Sequence, residues 1–321
     1  MLPVLDRLNA WIDEPQPVLR IEIVRILAPL AVLGFMSGRL VHADEWIGDA
    51  GFRVPDLGGD WRQPLYVPGL PAEAAWLVVT LMVVAGLACS IGLYTRASGL
   101  LFAATLAFVA VSDRLAAFTV SKLSPVVMLA VALGPAGTRL GVDAWRRRRA
   151  GGKKPPKRVV AGSVRLLQLL LVTIYSASGI AKMRGDWLKM PLVLWTQLHD
   201  TYQTPFAFAL ARVLPAWAWT GFQGLVLTFE VLAPLWFAWP RTRNAALVVG
   251  VGMHAMIGLM FGPVVWFALL MMTLLLGSYL PDRLLEPLDR LASRFEKRPP
   301  RKARNGREIE QEDTKTRTEE D

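Results

Sequence analysis

Lys182 is the residue whose type and position best suit acid–base chemistry. It lies in YSASGIAKMRGDW, residues 175–187, at the end of a long apolar run and after several small residues. Small residues let neighbouring helices approach closely, and a lysine that they shield from water can serve as a base. The alternative is a lysine whose ammonium group extends to the lipid headgroups. The residues alone leave both interpretations open.

Three further ionisable residues lie in or beside apolar runs. His254, in VVGVGMHAMIGLM, can form a hydrogen bond between helices or relay protons. Glu230, in LVLTFEVLAPLWF, must be paired, protonated or turned toward a polar cavity. Lys122, in TVSKLSP, opens an apolar run and contacts either headgroups or the pocket of Lys182. The HxxH, HExxH and CxxC spacings do not occur, so the sequence predicts no metal site.

Residues close to Lys182 in the sequence complete the predicted pocket. Tyr175 adds a hydroxyl group in the same run, which either reaches the pocket or forms a hydrogen bond between helices. We expect Asp186 and Trp187 to close the outer end of the pocket. The catalytic candidates are therefore Lys182, His254 and Lys122, and the candidate pocket residues are Glu230, Tyr175, Asp186 and Trp187.

The composition indicates that the elements holding these residues are membrane helices. The chain has 321 residues, 53% of them hydrophobic, and its mean hydropathy is +0.37. A soluble domain of this length needs more polar surface, so the excess apolar side chains must face lipid. Charged residues make up 19% of the chain and are concentrated in a few segments, as expected because a charge at the bilayer centre costs several kcal/mol.

The pattern of apolar runs and basic connections predicts the topology. A spanning helix needs about 20 mostly apolar residues. The candidate spans are 20–40, 74–93, 97–112, 116–136, 164–182, 217–238, 244–261 and 263–280. Lysine and arginine are most frequent in WRRRRAGGKKPPKR, residues 145–158, which predicts that this connection is cytoplasmic. We therefore expect an all-α bundle of about eight transmembrane helices in the cell membrane, with both termini cytoplasmic.

The remaining segments are predicted to be short or disordered. Residues 1–19 form a cytoplasmic N-terminal segment, 20–282 the transmembrane domain, and 283–321 a charged tail whose composition predicts disorder. Most of the net charge of +10 lies next to apolar runs, so it indicates topology and contact with anionic lipid. Nucleic-acid binding is not expected. The sequence contains no Walker A, GxSxG or dinucleotide-binding motif.

Five stretches of the sequence, taken in order, carry a resemblance to a known family. They are IGLYTRASGLLF at 91–102, GVDAW at 141–145, GIAKMRGDW at 179–187, TPFAF at 204–208 and HAMIGLMFGPVVWFALLMM at 254–272. They resemble the HTTM (horizontally transferred transmembrane) family, to which the membrane domain of the vitamin K-dependent γ-carboxylase belongs, and GIAKMRGDW resembles the lysine-bearing helix end of that domain. The likeness covers about residues 20–280, and DoxX-like membrane proteins share a looser version of it.

The resemblance implies a chemistry and a cofactor. In the carboxylase, the lysine that matches Lys182 deprotonates vitamin K hydroquinone on the lumenal side of the membrane. Lys182 would then be the base here, and the cofactor would be a quinone or hydroquinone. His254 is similar to a histidine of the carboxylase's final hairpin, whereas Lys122 stands where the carboxylase has a histidine.

Two classes of function follow from these patterns. In the first, a lipid-soluble small molecule of the quinol type enters between helices, and Lys182 removes a proton from it in a carboxylase-like or epoxidase-like reaction. In the second, the protein is a non-catalytic membrane factor for the maturation or export of a secreted peptide, with that peptide or a membrane protein as partner. A transporter is a third alternative because Glu230 and His254 lie within spans, although the sequence shows no inverted repeat.

Overall fold

The computed structural model describes residues 2–51, 67–112, 118–160, 162–199 and 202–297. The α-helices in these ranges are α1 (Leu2–Asp13), α2 (Val18–Leu40), α3 (Ala43–Trp46), α4 (Ala72–Ile91), α5 (Thr95–Ser112), α6 (Thr119–Leu133), α7 (Val142–Arg149), α8 (Gly162–Arg184), α9 (Val193–Gln197), α10 (Pro205–Val213), α11 (Ala216–Ala238), α12 (Pro240–Met260), α13 (Val265–Tyr279) and α14 (Asp282–Lys297). A 3-10 helix at Gly262–Val264 joins α12 to α13. The strands β1 (Pro15–Pro17) and β2 (Arg158–Val160) pair antiparallel.

Each of the eight runs predicted to span a membrane contains a helix. Six helices in the described ranges are long and apolar enough to cross a membrane: α4, α5, α8, α11, α12, and α13 together with its preceding 3-10 turn. Of the other two, α2 carries charged residues such as Arg25 and Glu22, and α6 has only 15 residues. The protein is therefore multi-pass, while α2 and α6 as further spans and the orientation of the termini remain predictions.

The outward surface of these helices is apolar. Only 28–50% of the most apolar stretch of each of the six is buried within the bundle. Large side chains such as Leu77, Leu225 and Val248 are exposed instead. A continuous apolar surface of this kind is stable in contact with lipid, where a helix satisfies its own backbone hydrogen bonds.

Proline and glycine set several helix ends. Pro205 and Pro240 occupy the first turns of α10 and α12, where the missing N–H group costs no helical hydrogen bond. Helix α4 ends at Gly92 in a left-handed conformation with φ of 72°. A Cβ atom there would lie 2.8 Å from Nη1 of Arg25, so glycine is required both by the conformation and by the close approach of this arginine.

The bundle consists of two groups of four helices. Helices α2, α4, α5 and α6 pack together, as do α8, α11, α12 and α13, and α2 joins the groups through α13 and α8. One continuous core contains buried residues of both groups. A smaller cluster packs α9 and α10 over one end of the second group through Leu194, Leu198, Ala207, Trp219 and Met260.

Arg25 holds neighbouring helix ends together at the end of the bundle opposite α9 and α10. Its side chain is 1% exposed, and Nε donates to the carbonyl of Ala136 at 2.7 Å. The Nη1 atom donates to the carbonyls of Cys89 (2.9 Å) and Ser90 (2.6 Å), and Nη2 to that of Leu140 (3.3 Å). The last carbonyls of a helix lack donors from a following turn, and at the end of α4 the N–H of Gly92 reaches that of Cys89. The Arg25 guanidinium supplies the further donors and ties three segments together.

Glu22 complements this arginine from the preceding turn of α2. Its Oε1 accepts hydrogen bonds from the backbone N–H groups of Arg139 (2.6 Å) and Leu140 (3.1 Å), and its side chain is fully buried. Helices α2, α8 and α12 begin here, close to the basic segment 146–158. We call this the basic end of the bundle.

Asp143 closes the basic end beside α5. It accepts hydrogen bonds from the N–H of Tyr94 (2.9 Å) and from the N–H and hydroxyl of Thr95, both at 2.7 Å. Burial by itself would raise the pKa of Asp143, but these hydrogen bonds outweigh it and hold the pKa below the ordinary carboxyl value. Asp143 therefore caps the first turn of α5 as a carboxylate.

The structure differs from the sequence predictions in two segments. The pairing of β1 with β2 adds a short two-stranded sheet to a domain predicted to be all-α. Residues 283–297, predicted to be disordered, belong to α14, because Leu285 and Ala292 pack against Leu19 of α2 and supply the apolar burial that the tail's composition lacks. Residues 52–66, between the first two predicted spans, and residues 298–321 of the predicted tail lie outside the described ranges.

Candidate functional site

One face of α8 carries the residues that build the site. Tyr175, Gly179 and Lys182 recur at helical spacing and therefore point in the same direction, toward α11. A Cβ atom at Gly179 would lie 3.0 Å from the backbone nitrogen of Val231 and 3.2 Å from the carbonyl carbon of Glu230. The absence of a side chain at Gly179 thus lets the two helices approach closely, one turn from Lys182.

This approach brings Lys182 into an ion pair with Glu230. The Nζ atom of Lys182 donates to Oε1 of Glu230 at 2.7 Å and to Oε2 at 2.6 Å. It also donates to the hydroxyl of Ser178 at 2.7 Å. The Lys182 side chain is 20% exposed and that of Glu230 is 8% exposed. The ammonium group therefore has three oxygen partners while part of its surface stays accessible.

Trp187 covers the ammonium group from the segment that follows α8. The Nζ atom of Lys182 lies 5.1 Å from the centre of the Trp187 ring, within the range of a cation–π interaction. Gln223 of α11 holds this segment in place. Its Nε2 donates to the carbonyls of Trp187 (2.7 Å) and Met190 (2.8 Å), and its Oε1 accepts from the N–H of Leu194 at 3.2 Å.

Lys182 and Glu230 lie in the wall of a cavity of about 610 Å³. The other lining residues are almost all apolar. They come from the segment between α8 and α9, from α9 to α13 and from the residue before α6. The lining includes Phe118, Trp187, Leu194, Trp219, Phe229, Met253, Met260 and Phe267. A cavity of this size and polarity suits a drug-sized apolar molecule that carries one polar group. We call this end of the bundle the cavity end.

Helix α10 and the end of α12 close the cavity end. The hydroxyl of Thr204 donates to the carbonyl of Leu259 at 2.7 Å and also accepts from the N–H of Ala207, capping α10. The N–H of Thr204 donates to the carbonyl of Met260 at 3.3 Å. The 3-10 helix at Gly262–Val264 forms the tight turn between α12 and α13.

Tyr175 and His254 form a second polar pair behind the cavity wall. The Tyr175 hydroxyl and Nε2 of His254 are 2.9 Å apart, and His254 is 3% exposed. Phe229 packs edge-on against Tyr175 and Phe267 edge-on against His254, with ring centroids 5.1 Å and 5.6 Å apart. Because both phenylalanines also line the cavity, they stand between it and the Tyr175–His254 pair. The Nδ1 atom of His254 has no hydrogen-bond partner among the described residues.

The structure brings together some of the residues predicted from the sequence and separates others. Lys182, Glu230 and Trp187 share the cavity wall. Asp186 and Lys122 are exposed and are not among the residues that line this cavity. Phe118, four residues before Lys122, does line the cavity. The expected contribution of Asp186 and Lys122 to the pocket wall is therefore not seen.

Some residues of the site were not predicted as such. Ser178 and Gly179 were noted as small residues that permit close helix packing, but only the fold shows that they contact α11 and the Lys182 ammonium group. The aromatic residues that wall the cavity, such as Phe229 and Trp219, resemble ordinary core residues or interfacial anchors in the sequence. Gln223, a glutamine inside an apolar run, was a detectable signal of hydrogen bonding within the bundle.

The arrangement has a definite chemical capacity. A hydroxyl compound in the cavity would meet a hydrogen-bond donor in Lys182 and an acceptor in Glu230, surrounded by apolar walls. Moving one proton from Nζ to a Glu230 oxygen 2.6 Å away converts the ion pair into a neutral amine and a neutral acid without changing the net charge. The neutral amine formed in this way can then take a proton from a bound hydroxyl group.

Comparisons with known proteins give one match. A family model described as HTTM domain matches residues 28–278, a range that begins within α2 and ends near the end of α13. It includes the Lys182–Glu230 pair and the residues that line the cavity. None of the curated proteins and none of the solved structures compared with the chain matches it.

Proposed function

Because the chain belongs to the HTTM domain family and is a multi-pass membrane protein, we propose that it binds a lipid-soluble hydroxyl compound of the quinol class and removes a proton from it. The observation that carries this proposal is the Lys182–Glu230 ion pair in the wall of a large apolar cavity. The resemblance of GIAKMRGDW, 179–187, to the lysine-bearing helix end of the γ-carboxylase supports the choice of quinol.

Proton removal proceeds through the ion pair without a change in net charge. The proton that Nζ of Lys182 shares with Glu230 first moves to the carboxylate. The neutral amine then takes the proton of the substrate hydroxyl and becomes an ammonium group beside the new oxyanion. The carboxylic acid of Glu230 keeps the first proton, so the cavity stays neutral throughout. This matters because a net charge in an apolar cavity costs several kcal/mol.

The cavity wall supports the substrate class. The apolar residues of α11 to α13 suit the ring and alkyl chain of a quinol, whereas a sugar or nucleotide would leave many polar groups without partners. Trp187 covers the ammonium group, so the deprotonated substrate would be shielded from water. A quinol partitions into the bilayer and reaches such a cavity between helices.

The experiment measures both binding and proton removal with one probe. The purified protein in lipid nanodiscs is titrated, without oxygen, with a short-chain naphthoquinol, whose deprotonated form absorbs at longer wavelength than the neutral form. We expect bound quinol to show the deprotonated spectrum at a pH where quinol in protein-free nanodiscs stays neutral. Lys182→Met removes the amine and abolishes this spectrum.

A matched control separates the role of Lys182 from that of nearby positive charge. Lys189 is exposed, lies seven residues after Lys182 and is not a lining residue of the cavity. Lys189→Met is expected to bind and deprotonate the quinol as the wild type does. If Lys182→Met gives the wild-type spectrum and affinity, Lys182 is not the base and the proposal is wrong.

The proposal puts the cavity at the outer face of the cell membrane, with the basic end and both termini in the cytoplasm. The basic residues of 145–158 support this orientation, because such segments are retained on the cytoplasmic side. The single cysteine, Cys89, is buried and can be replaced by alanine. In that background, a cysteine at Lys189 is expected to react with a membrane-impermeant maleimide on intact cells, whereas a cysteine at Lys154 is not. Labelling of only the second would reverse the orientation.

A further inference from the structure

A second pocket, of about 260 Å³, lies at the basic end of the bundle. It shares no lining residue with the cavity in which we propose that a quinol binds. Its walls come from the starts of α2, α8 and α12, the end of α13 and the two short strands. Unlike the cavity end, this pocket is lined by polar side chains. The charged ones are Arg20, Arg158, Arg165, Arg243, Glu14 and Asp282. Four guanidinium groups and two carboxylates leave an excess of two positive charges.

The two carboxylates are already engaged. Asp282 accepts hydrogen bonds from Arg20 at 2.9 Å and from Arg158 at 2.5 Å. Burial by itself would raise the pKa of Asp282, but its two arginine partners hold that pKa below the ordinary carboxyl value. Glu14 pairs with Arg165 across the pocket. Neither acid is therefore available to neutralise a further arginine.

Arg243 is the guanidinium left without a carboxylate. Its Nε donates to the carbonyl of Phe237 at 2.9 Å and its Nη2 to that of Ala238 at 3.3 Å. Among the described residues it has no acidic partner. Both carbonyls lie at the end of α11, so these bonds fix the position of Arg243 while its charge still faces the pocket.

Three of the residues that line the pocket also carry a polar atom without a hydrogen-bond partner. The Nε atoms of Arg20 and Arg165 and the hydroxyl of Ser278 are buried and have no partner among the described residues. These residues are 7%, 6% and 1% exposed. Buried polar atoms without partners are uncommon in folded proteins and often mark a position that a bound group or water completes.

We infer that this pocket binds a phosphate group. Arginine is the side chain best suited to phosphate, because its planar guanidinium presents parallel N–H donors to two oxygens at once. An inorganic phosphate would neutralise the excess charge of the pocket and a phosphodiester headgroup would neutralise half of it, and the available volume accommodates a tetrahedral anion with a few waters.

The phosphate group has two sources with the same chemistry, a phospholipid headgroup and a soluble phosphate. A basic pocket at the ends of membrane helices is a known setting for anionic headgroups. Trp239, beside the lining residue Pro240, is 56% exposed and Leu235 is also exposed, so apolar surface for an acyl chain borders the pocket. The experiment therefore has one arm for each source.

The test compares the thermal unfolding midpoint of the purified full chain in the presence of three additives. These are nanodiscs containing phosphatidylglycerol, nanodiscs of phosphatidylcholine alone, and phosphatidylcholine nanodiscs with inorganic phosphate. We expect phosphatidylglycerol or inorganic phosphate to raise the midpoint of the wild type above that in phosphatidylcholine alone. A rise with phosphatidylglycerol alone identifies a lipid headgroup, and a rise with inorganic phosphate identifies a soluble anion.

Neighbouring residues supply the variants. Arg243→Ala is expected to weaken binding about tenfold, because it removes one charge-assisted contact. Arg241→Ala removes an exposed arginine that does not line the pocket and is expected to leave affinity unchanged. Asn244→Asp adds a negative charge to the pocket, keeps both Arg243 bonds to α11, and should also weaken binding.

Two results would overturn the inference. One is the absence of any increase in the unfolding midpoint with either phosphate source. The other is an equal loss of affinity in Arg241→Ala and Arg243→Ala, which would mean that anions bind the basic surface generally. If Arg243→Ala does not fold, phosphate binding is measured with Asn244→Asp instead. Wild-type affinity in Asn244→Asp would also refute the site.

Discussion

The two ends of the bundle use buried charge in opposite ways. At the basic end, Arg25 and Glu22 form hydrogen bonds with backbone groups of neighbouring segments, and all three nitrogens of the guanidinium donate to such groups. At the cavity end, Lys182 and Glu230 pair with each other at the wall of a cavity. Arg25 and Glu22, which line neither the cavity nor the pocket at the basic end, stabilise the fold, whereas the Lys182–Glu230 pair in a cavity wall can also contact a ligand. The partners of a buried charge, more than its depth, thus indicate its role.

The largest expected effect comes from breaking the basic end. Arg25→Met removes the Arg25 donor from four carbonyls, of which only that of Cys89 keeps another donor among the described residues, the N–H of Gly92, so we expect the free energy of unfolding to fall by about 3–5 kcal/mol. The thermal unfolding midpoint in nanodiscs, followed by tryptophan fluorescence, measures the loss. Arg96→Met, at an exposed position, is the control and should change stability by less than about 0.5 kcal/mol. Equal midpoints for the two variants would show that Arg25 does not fasten the helix ends.

The next effect comes from separating the pair at the cavity end. Lys182→Met leaves the Glu230 carboxylate without its main partner in an apolar wall, which should cost about 2 kcal/mol, because Lys182 is partly exposed. Adding Glu230→Leu removes the orphaned charge, so we expect the double variant to regain most of that stability and still fail to deprotonate the naphthoquinol. Unfolding midpoints of both single variants and the double variant measure the coupling. Additive losses would mean that the two residues act independently.

A smaller effect is expected from changing the distance between α8 and α11. Gly179→Ala places a methyl group 3.0 Å from the Val231 backbone nitrogen, so the helices must separate at a cost of about 1–2 kcal/mol. The separation should also lengthen the Lys182–Glu230 contact and weaken quinol binding. Gly224→Ala on α11 is the control, since no atom lies within 4 Å of its added Cβ, and it should be neutral or slightly stabilising. The same affinity in both variants would contradict this account of Gly179.

The smallest effect is a pH dependence at the basic end. The pKa of Asp143 in the folded protein lies below the ordinary value of 3.8, so its carboxylate stabilises the fold above that pH. This contribution, about 1 kcal/mol for a residue that caps a helix, is lost as the pH falls through the folded pKa. Asp143→Asn should therefore be less stable at neutral pH and lose less stability on acidification. Parallel curves of unfolding midpoint against pH would exclude this role for Asp143.

Much of the fold was predictable because helix formation and membrane insertion depend on local composition. All eight runs predicted as spans contain helices, and the resemblance to the HTTM family is confirmed by the match over residues 28–278. The short strand pair β1–β2 was not predictable, since its strands have only three residues each and lie more than 140 positions apart. Helix α14 was missed because its stability comes from packing on α2.

The candidate site was predictable only as a set of residue types. A lysine, a glutamate and a histidine within apolar runs are costly enough to attract attention in the sequence. Their pairing depends on helix contacts between distant segments, with Lys182 and Glu230 48 positions apart and Tyr175 and His254 79 apart. The exposure of Lys122 and Asp186 could not be predicted either, because the position of a residue near a helix end does not show which way its side chain points.

The sequence by itself determined that this protein crosses a membrane, where its helices lie and which charged residues sit among apolar ones. These properties follow from the free energy of transferring individual side chains between water and lipid, which is a sum over local residues. The tertiary structure decided which of those charges meet. It joined Lys182 to Glu230 through the close approach at Gly179, and it left four arginines with only two acids at the other end. Contacts between charged residues that are distant in the sequence depend on how the helices pack, and the transfer free energies of individual residues do not determine that packing.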